Sequence, residues 1–260
     1  MPCFTEEELA SNPSMRDGVP LQLFEDVRAQ CVAMAFAVSQ RLEFPLLVAG
    51  RASLLFQQFY QQRSLLRNDR FVVIMACIYV ATKVEGRQKN VKDIIIACFD
   101  HRYDKAENPI RCQSNKAGFI EEVVKGVQQV EEVLLLQITN FDFEEITIYG
   151  AAFRLLSQLT KIRDKRYQHM QQLMCAMIND SMYTPICLIH SGKDVARGIV
   201  MMALRLARME VLIENNMDKI WEGAEEKRAP ISKAVTNMMA NLYDFSDADP
   251  KVEELSKQEG

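Results

Sequence analysis

Eleven consecutive residues, Phe71–Ala81 (F-V-V-I-M-A-C-I-Y-V-A), carry no charge and almost no polarity. A helix lying on a protein surface shows a polar stripe every three or four residues, and this run shows none. A bilayer crossing needs about 20 apolar residues, and a buried strand usually ends after about 4–8. A helix fits the length, with Asn68-Asp69 as its N-cap and Gly86 as its stop. A helix apolar on every side must be ringed by other helices. The pattern therefore predicts an all-α chain built around Asp69–Glu85, with Lys83 and Glu85 where the buried helix reaches the surface.

The flanking pattern supplies the ring. From Leu21, the residues Phe24, Val27, Cys31, Met34, Ala35, Val38 and Leu42 follow i, i+3, i+4 spacing. Pro45 suits the first turn of the next helix, which buries Val48, Ala52, Leu55, Phe56 and Phe59. Another begins near Val91 and carries Ile94, Ile95, Cys98 and Phe99. Residues 101–115 lose periodicity around Asn108-Pro109, so a loop is expected there. A fifth helix is predicted over Ala117–Asn140, with Glu121, Lys125, Gln128 and Glu132 on its polar face. That face stops at Val133-Leu134-Leu135-Leu136, where a covering surface is expected on both sides.

The second half repeats the theme with helices over Ile146–Leu159, Tyr167–Ser181, Thr184–His190, Asp194–Arg208 and Pro230–Tyr243. Lys161–Arg166 is a charged connector between the first two. Val80-Ala81-Thr82-Lys83 can be set on Met202-Ala203-Leu204-Arg205 at an offset of 203 − 81 = 122 residues. Two copies of one five-helix unit follow from this. The boundaries expected are an acidic arm at 1–19, a first unit at 20–142, a second at 143–243, and an acidic tail at 244–260.

Charge narrows the function. Residues 20–142 hold 15 Lys/Arg against 14 Asp/Glu, and residues 143–260 hold 15 against 17. Neither half is basic, which argues against nucleic-acid binding. The seven cysteines are scattered, with no C-x-x-C pair, so a disulfide framework or zinc site is not expected. The acidic start, Met1-Pro2-Cys3-Phe4-Thr5-Glu6-Glu7-Glu8, is unlike a signal peptide. A soluble intracellular protein is expected. Ten of the fourteen methionines follow residue 169, which fits gap-filling in a helical core.

No catalytic constellation is visible. His101, His169 and His190 lie far apart, and none has the i, i+4 partner of a metal pair. Ser191-Gly192-Lys193 lacks the glycine that a phosphate loop needs, since Cys187 stands there. Asn179-Asp180-Ser181 is a formal glycosylation sequon in a chain that shows no sign of secretion. No cofactor, metal or catalytic residue is expected. The charges at Lys83, Glu85 and Glu132 border apolar surface, the arrangement of many binding hot spots.

Several segments, taken together, resemble the cyclin family. Ser14-Met15-Arg16-Asp17-Gly18-Val19 is similar to the S-x-x-D-G-V segment before the first cyclin box of transcription-type cyclins. Met75–Glu85 resembles the M-A-C-I-x-L-A-S-K-x-E centre of that box, closest to cyclins L, K and T. Phe56-Gln57-Gln58-Phe59-Tyr60 resembles the H-R-F-Y helix. Glu132 with Phe141-Asp142-Phe143 is similar to E-x₈-F-D-[LF]. Asn179-Asp180-Ser181 with Cys187-Leu188 is similar to N-D-S-x₅-C-L of the second box. The resemblance covers roughly residues 12–243.

This resemblance implies two tandem five-helix cyclin-box domains and a regulatory subunit of a cyclin-dependent protein kinase, nuclear, and transcriptional rather than cell-cycle. It implies that Lys83 and Glu132 contact the kinase's mobile C-helix and that Phe141 and Phe143 pack against it. The kinase-facing set is thus Lys83, Glu85, Glu132, Leu136, Phe141 and Phe143. Gly86 departs from the family's K-x-E-E, and the M-R-A-I-L-x-x-W substrate patch is missing from the first helix. A cyclin-fold scaffold without a kinase, and a DNA-binding relative like transcription factor IIB, are the alternative readings. Neither a membrane nor a nucleic acid is the partner expected.

Overall fold

A computed structural model describes residues 4–103, 107–112, 116–143, 147–160 and 165–242. These residues are helical, with no strand among them. They fall into two compact units, Met1–Glu144 and Glu145–Gly260.

The first unit opens with α1 (Glu6–Ala10) and α2 (Pro13–Arg16). Five longer helices follow: α3 (Leu21–Arg41), α4 (Leu46–Gln62), α5 (Arg70–Val84), α6 (Val91–Arg102) and, after the short α7 (Pro109–Cys112), α8 (Lys116–Val133). The all-apolar run becomes α5, and it is the centre of the bundle. Val73–Ile78 and Val80–Thr82 are buried, and α3, α4, α6 and α8 all pack on this helix. Its ends are closed locally. The Asp69 carboxylate accepts from the Phe71 and Val72 amides, and beyond the helix Arg87 N–H donates to Thr82 O at 2.7 Å around Gly86 at φ +64°.

The segment before α3 is tied into this unit. Ser14 is fully buried, and its Oγ accepts from the Leu65 amide at 3.0 Å. Asp17 pairs with Arg67 at 3.5 Å, Gly18 takes φ +90°, and Val19 enters the core. The S-x-x-D-G-V segment is therefore a clasp between the N-terminal arm and the α4–α5 turn.

Two expectations change here. The loop expected at 101–115 contains α7. Asn108 is buried, caps Ile110 N–H and donates to Asp100 Oδ1 at 2.8 Å. Asn followed by Pro marks a helix start as readily as a turn. The fifth helix does not run unbroken to Asn140. After Val133 it widens into a π-helical turn, Leu134–Ile138, closed by Thr139 N–H on Leu134 O at 2.9 Å. The wider turn points both Leu134 and Ile138 into the core.

The second unit contains α9 (Thr147–Leu159), α10 (Lys165–Ser181), α11 (Ile186–Ile189), α12 (Gly192–Leu206), α13 (Glu210–Glu214), α14 (Met217–Trp221), a 3₁₀ turn (Glu225–Lys227) and α15 (Arg228–Leu242). All five helices predicted for this half are present. Helix α12 is its centre, and α9, α10 and α15 pack against it. The repeat seen in four residues extends over a whole helix, since 192 − 70 = 122 and 206 − 84 = 122. Their N-caps, Asp69 and Ser191, keep the same offset. Helices α13 and α14 were not foreseen. Each is five residues long, too short for periodicity to register, yet they bury Ile213, Ile220 and Trp221. Trp221 Nε1–H donates to Met201 Sδ at 3.0 Å. The acidic tail and Lys161–Asp164 of the charged connector lie outside the described residues.

Candidate partner-binding surface

Lys83 lies in the last turn of α5, where α8 crosses it. Its Nζ donates to Glu131 Oε1 at 2.6 Å and stands 4.2 Å from the centroid of the Tyr79 ring. The side chain is 38% exposed. Partial burial works against the ammonium, but the hydrogen bonds to Glu131 and Tyr79 outweigh it, and the Lys83 pKa is raised. The resemblance implied that Lys83 and Glu132 each contact the kinase; within the unit itself, Lys83 pairs with Glu131. One helical residue rotates a side chain by about 100°, so Glu132 turns away from α5. It is exposed and has no ion-pair partner among the described residues.

Glu85 also departs from expectation. It does not face outward as a rim charge. Arg51 Nε donates to its Oε1 at 2.6 Å, with the side chains only 4% and 17% exposed. The pair ties α4 to the end of α5, and the charge of Glu85 is spent inside the unit.

The apolar part of the surface follows one turn further on. Leu136 and Phe141 are each 60% exposed. The covering expected on both sides of the helix is present on one: Leu134 and Ile138 are buried, Val133 and Leu135 pack on the core, and Leu136 does not. Phe143 was placed in the same set as Phe141, yet it packs against the unit's own core. The chain turns between them. Asn140 takes φ +47° and Phe141 φ +57°, and Phe141 N–H donates to Leu135 O at 2.9 Å. Left-handed backbone suits Asn but is costly for a bulky side chain. The Arg63 guanidinium at the end of α4 donates to Gln137 Oε1 and holds the π-helical turn in place.

The remaining motifs are structural. Tyr149 O–H donates to Asn179 Oδ1 at 2.6 Å, and buried Ser181 lies 3.7 Å from Cys187 Sγ. The N-D-S-x₅-C-L segment thus locks α10 to α9 and α11. Ser191 caps α12 instead of holding a phosphate. His101 and His169 are exposed, and His190 is half-buried. Burial pushes the Cys31 thiol up to about 12. Among the described residues no group of three or more His, Cys, Asp or Glu could hold a metal ion, and no helix is long and apolar enough to cross a membrane.

Three residues of this surface were not read from the sequence. Tyr79 precedes Lys83 by four residues on the same helix face, so its signal was there. Glu131 and Arg51 carry no such signal, because each meets its partner across two helices.

Comparison with known proteins agrees with this architecture. Residues 3–111 match the family model described as the cyclin N-terminal domain. Cyclin-T1-4 of Arabidopsis thaliana is 24% identical over 242 residues, covering 93% of this chain and 43% of that protein. Cyclin pch1 of Schizosaccharomyces pombe is 24% identical over 239 residues, covering 92% of this chain and 68% of that protein. The chain therefore spans less than half the length of the first relative. A chain in the crystal structure of the yeast RNA Pol II CTD kinase CTDK-1 complex shares the fold at TM-score 0.77 and 15% identity, over 100% of this chain and 84% of that one. Residues 3–111 are thus similar to a cyclin N-terminal domain, and over nine-tenths of the chain aligns with cyclin-T1-4 and cyclin pch1 at 24% identity.

Proposed function

We propose that this chain is the regulatory subunit of a cyclin-dependent protein kinase acting in transcription or RNA-processing control in the nucleus. The observation that carries the reading is the pair Leu136 and Phe141, each 60% exposed, next along the chain from Glu131 and its partner Lys83. Phe141 holds a costly backbone conformation while its ring stays in solvent. Folding alone gives no reason to keep it there; a partner that buries the ring does. The fold neighbour from a complex titled as an RNA Pol II CTD kinase supports the transcriptional assignment.

The mechanism is a population shift. A kinase is active only when the Lys–Glu ion pair involving its C-helix is formed. A subunit that binds that arrangement more tightly than the open one raises its population by the difference in affinity. Leu136 and Phe141 supply apolar area to the kinase helix. Lys83 supplies a charge whose position is set by Glu131 and Tyr79, and Glu132 supplies an unpaired carboxylate. The cyclin chain itself performs no chemistry.

The test is capture from cell lysate with wild type and with Lys83→Ala/Glu132→Ala, the retained proteins being identified by mass spectrometry. A protein kinase held by wild type and lost by the variant is the expected result. No kinase on the wild-type chain would overturn the reading. A kinase held equally by both would move the contact away from these two residues.

A further inference from the structure

We infer that the cleft at the N-terminal end of α5 is a docking site for a short linear peptide that carries a carboxylate beside an aliphatic side chain. The cleft holds about 320 Å³ between α3, the α4–α5 turn, the start of α5 and the end of α6, a volume within the range of ligand sites. Lys83 stands at the other end of α5, about 20 Å away along the axis at 1.5 Å per residue. The cleft is therefore separate from the surface proposed for the kinase.

One half of the cleft is apolar. Val27 of α3 is buried and Phe71 packs on the core. Leu23 and Leu66, in contrast, are 51% and 68% exposed. Leu23 and Val27 are four residues apart and share one face of α3. Exposed leucines gathered on the rim of a cleft mark a contact surface, which singly scattered ones do not.

The other half is cationic, and the described residues leave its cations unanswered. The Arg102 guanidinium lies 3.1 Å from the centroid of the Phe71 ring, and Arg70 approaches the same ring at 5.4 Å. Neither has an ion-pair partner among the described residues. Arg70 Nε is buried with no hydrogen-bond acceptor. Arg70 is also the first residue of α5, where the helix dipole disfavours a cation. The carboxylates at hand are in use. Asp69 is exposed, but its Oδ1 accepts from the Phe71 and Val72 amides, and Asp17 pairs with Arg67 at 3.5 Å. Two like charges on one ring, a cation at the positive end of a helix and a buried donor without an acceptor each cost stability. An anion entering the cleft relieves all three.

A carboxylate on an aliphatic peptide fits both halves. Guanidinium forks match a carboxylate with paired hydrogen bonds, and the leucine rim calls for an aliphatic neighbour. A nucleotide would need a free aromatic face for its base, and Arg102 lies over that of Phe71. Small molecules bury most of their surface in an enclosed cavity. This cleft is open and leaves both rim leucines in solvent, which suits two side chains presented by a backbone that runs outside it.

The test is selection of a random peptide library, displayed on phage, against the full chain. Wild type should enrich peptides with Asp or Glu next to Leu, Ile or Val. The selected peptide, synthesised with a fluorophore and followed by anisotropy, should lose about tenfold or more in affinity on Arg70→Gln/Arg102→Gln, and on wild type it should weaken as salt rises. Leu66→Glu sets a carboxylate of the chain's own against the arginines from a side chain that is 68% exposed. It should abolish binding without entering the core, and it serves if loss of the arginines disturbs the start of α5. No enrichment, enrichment of basic or wholly apolar peptides, or equal binding by all three chains would overturn the inference. No kinase takes part in these measurements, so their failure leaves the regulatory-subunit reading untouched.

Discussion

Arg51 Nε donates to Glu85 Oε1 at 2.6 Å, joining α4 to the end of α5 inside the first unit. The guanidinium is 4% exposed and takes that carboxylate as a partner. Removing one partner of a buried ion pair costs roughly 3–5 kcal/mol, whereas replacing both by apolar residues of similar volume is often neutral. Glu85→Ala should therefore lower the urea midpoint of the full chain strongly, and Arg51→Met/Glu85→Leu should recover most of the loss. Near wild-type stability in Glu85→Ala, together with weakened kinase capture, would return Glu85 to the contact set.

Phe141 offers the reverse case. At φ +57° it bears a left-handed backbone penalty of about 1–2 kcal/mol for an L-residue, and its ring is mostly in solvent. Phe141→Gly removes the penalty and adds about 0.5–1 kcal/mol of unfolded-chain entropy. Stability should be unchanged or higher by up to about 1.5 kcal/mol, while kinase capture drops. Chemical denaturation and capture on the same preparation check both halves. A clear loss of stability would mean that the ring serves the fold.

Asp194 anchors the second unit. It accepts from Ser191 Oγ at 2.8 Å, Arg197 Nη1 at 2.7 Å and Lys227 Nζ at 3.0 Å. Burial by itself raises its pKa, but those three donors outweigh it, and the pKa is lowered. A depressed folded pKa gives stability that is complete above the unfolded value of about 3.9 and is lost as pH falls through the folded value. Asp194→Asn should lower stability near neutral pH and flatten the fall below about pH 4. Thermal unfolding across an acid series would show it; an acid limb identical to wild type would count against the role.

At Gly198, α12 packs tightly against α15. A Cβ there would stand 2.7 Å from Val235 Cγ2 and 2.8 Å from Ile231 Cγ2. Both methyls belong to stiff, buried, β-branched side chains. In a helix interior Gly→Ala ordinarily stabilises by about 1 kcal/mol. Here overpacking, typically about 1–3 kcal/mol, should reverse the sign. A raised melting temperature in Gly198→Ala would show that α15 can move aside.

Much of the fold was legible because its signals are local. An eleven-residue run without a polar side is a property of the chain itself, and so are the Asp69 cap, the Gly86 stop and the 3.6-residue periodicity of α3 and α4. The repeat between α5 and α12 was visible as four residues because each helix is the buried centre of its own unit, and burial demands similar side chains. Short elements escaped for the same reason. Helix α7 begins at an Asn-Pro that also reads as a turn, and α13 and α14 are five residues each.

The surface charges belong to another category. Sequence put Lys83 and Glu85 at the end of a buried helix and Glu132 at the edge of an apolar stretch, and it could say no more. Whether such a charge faces water or a partner depends on which helix lies beside it. Tertiary packing set Arg51 against Glu85, chose Glu131 over Glu132 for Lys83, and turned Phe143 inward while leaving Phe141 outside. Burial of a helix is written into its own residues, whereas the pairing of two charges from different helices depends on an interhelical register that neither helix encodes alone.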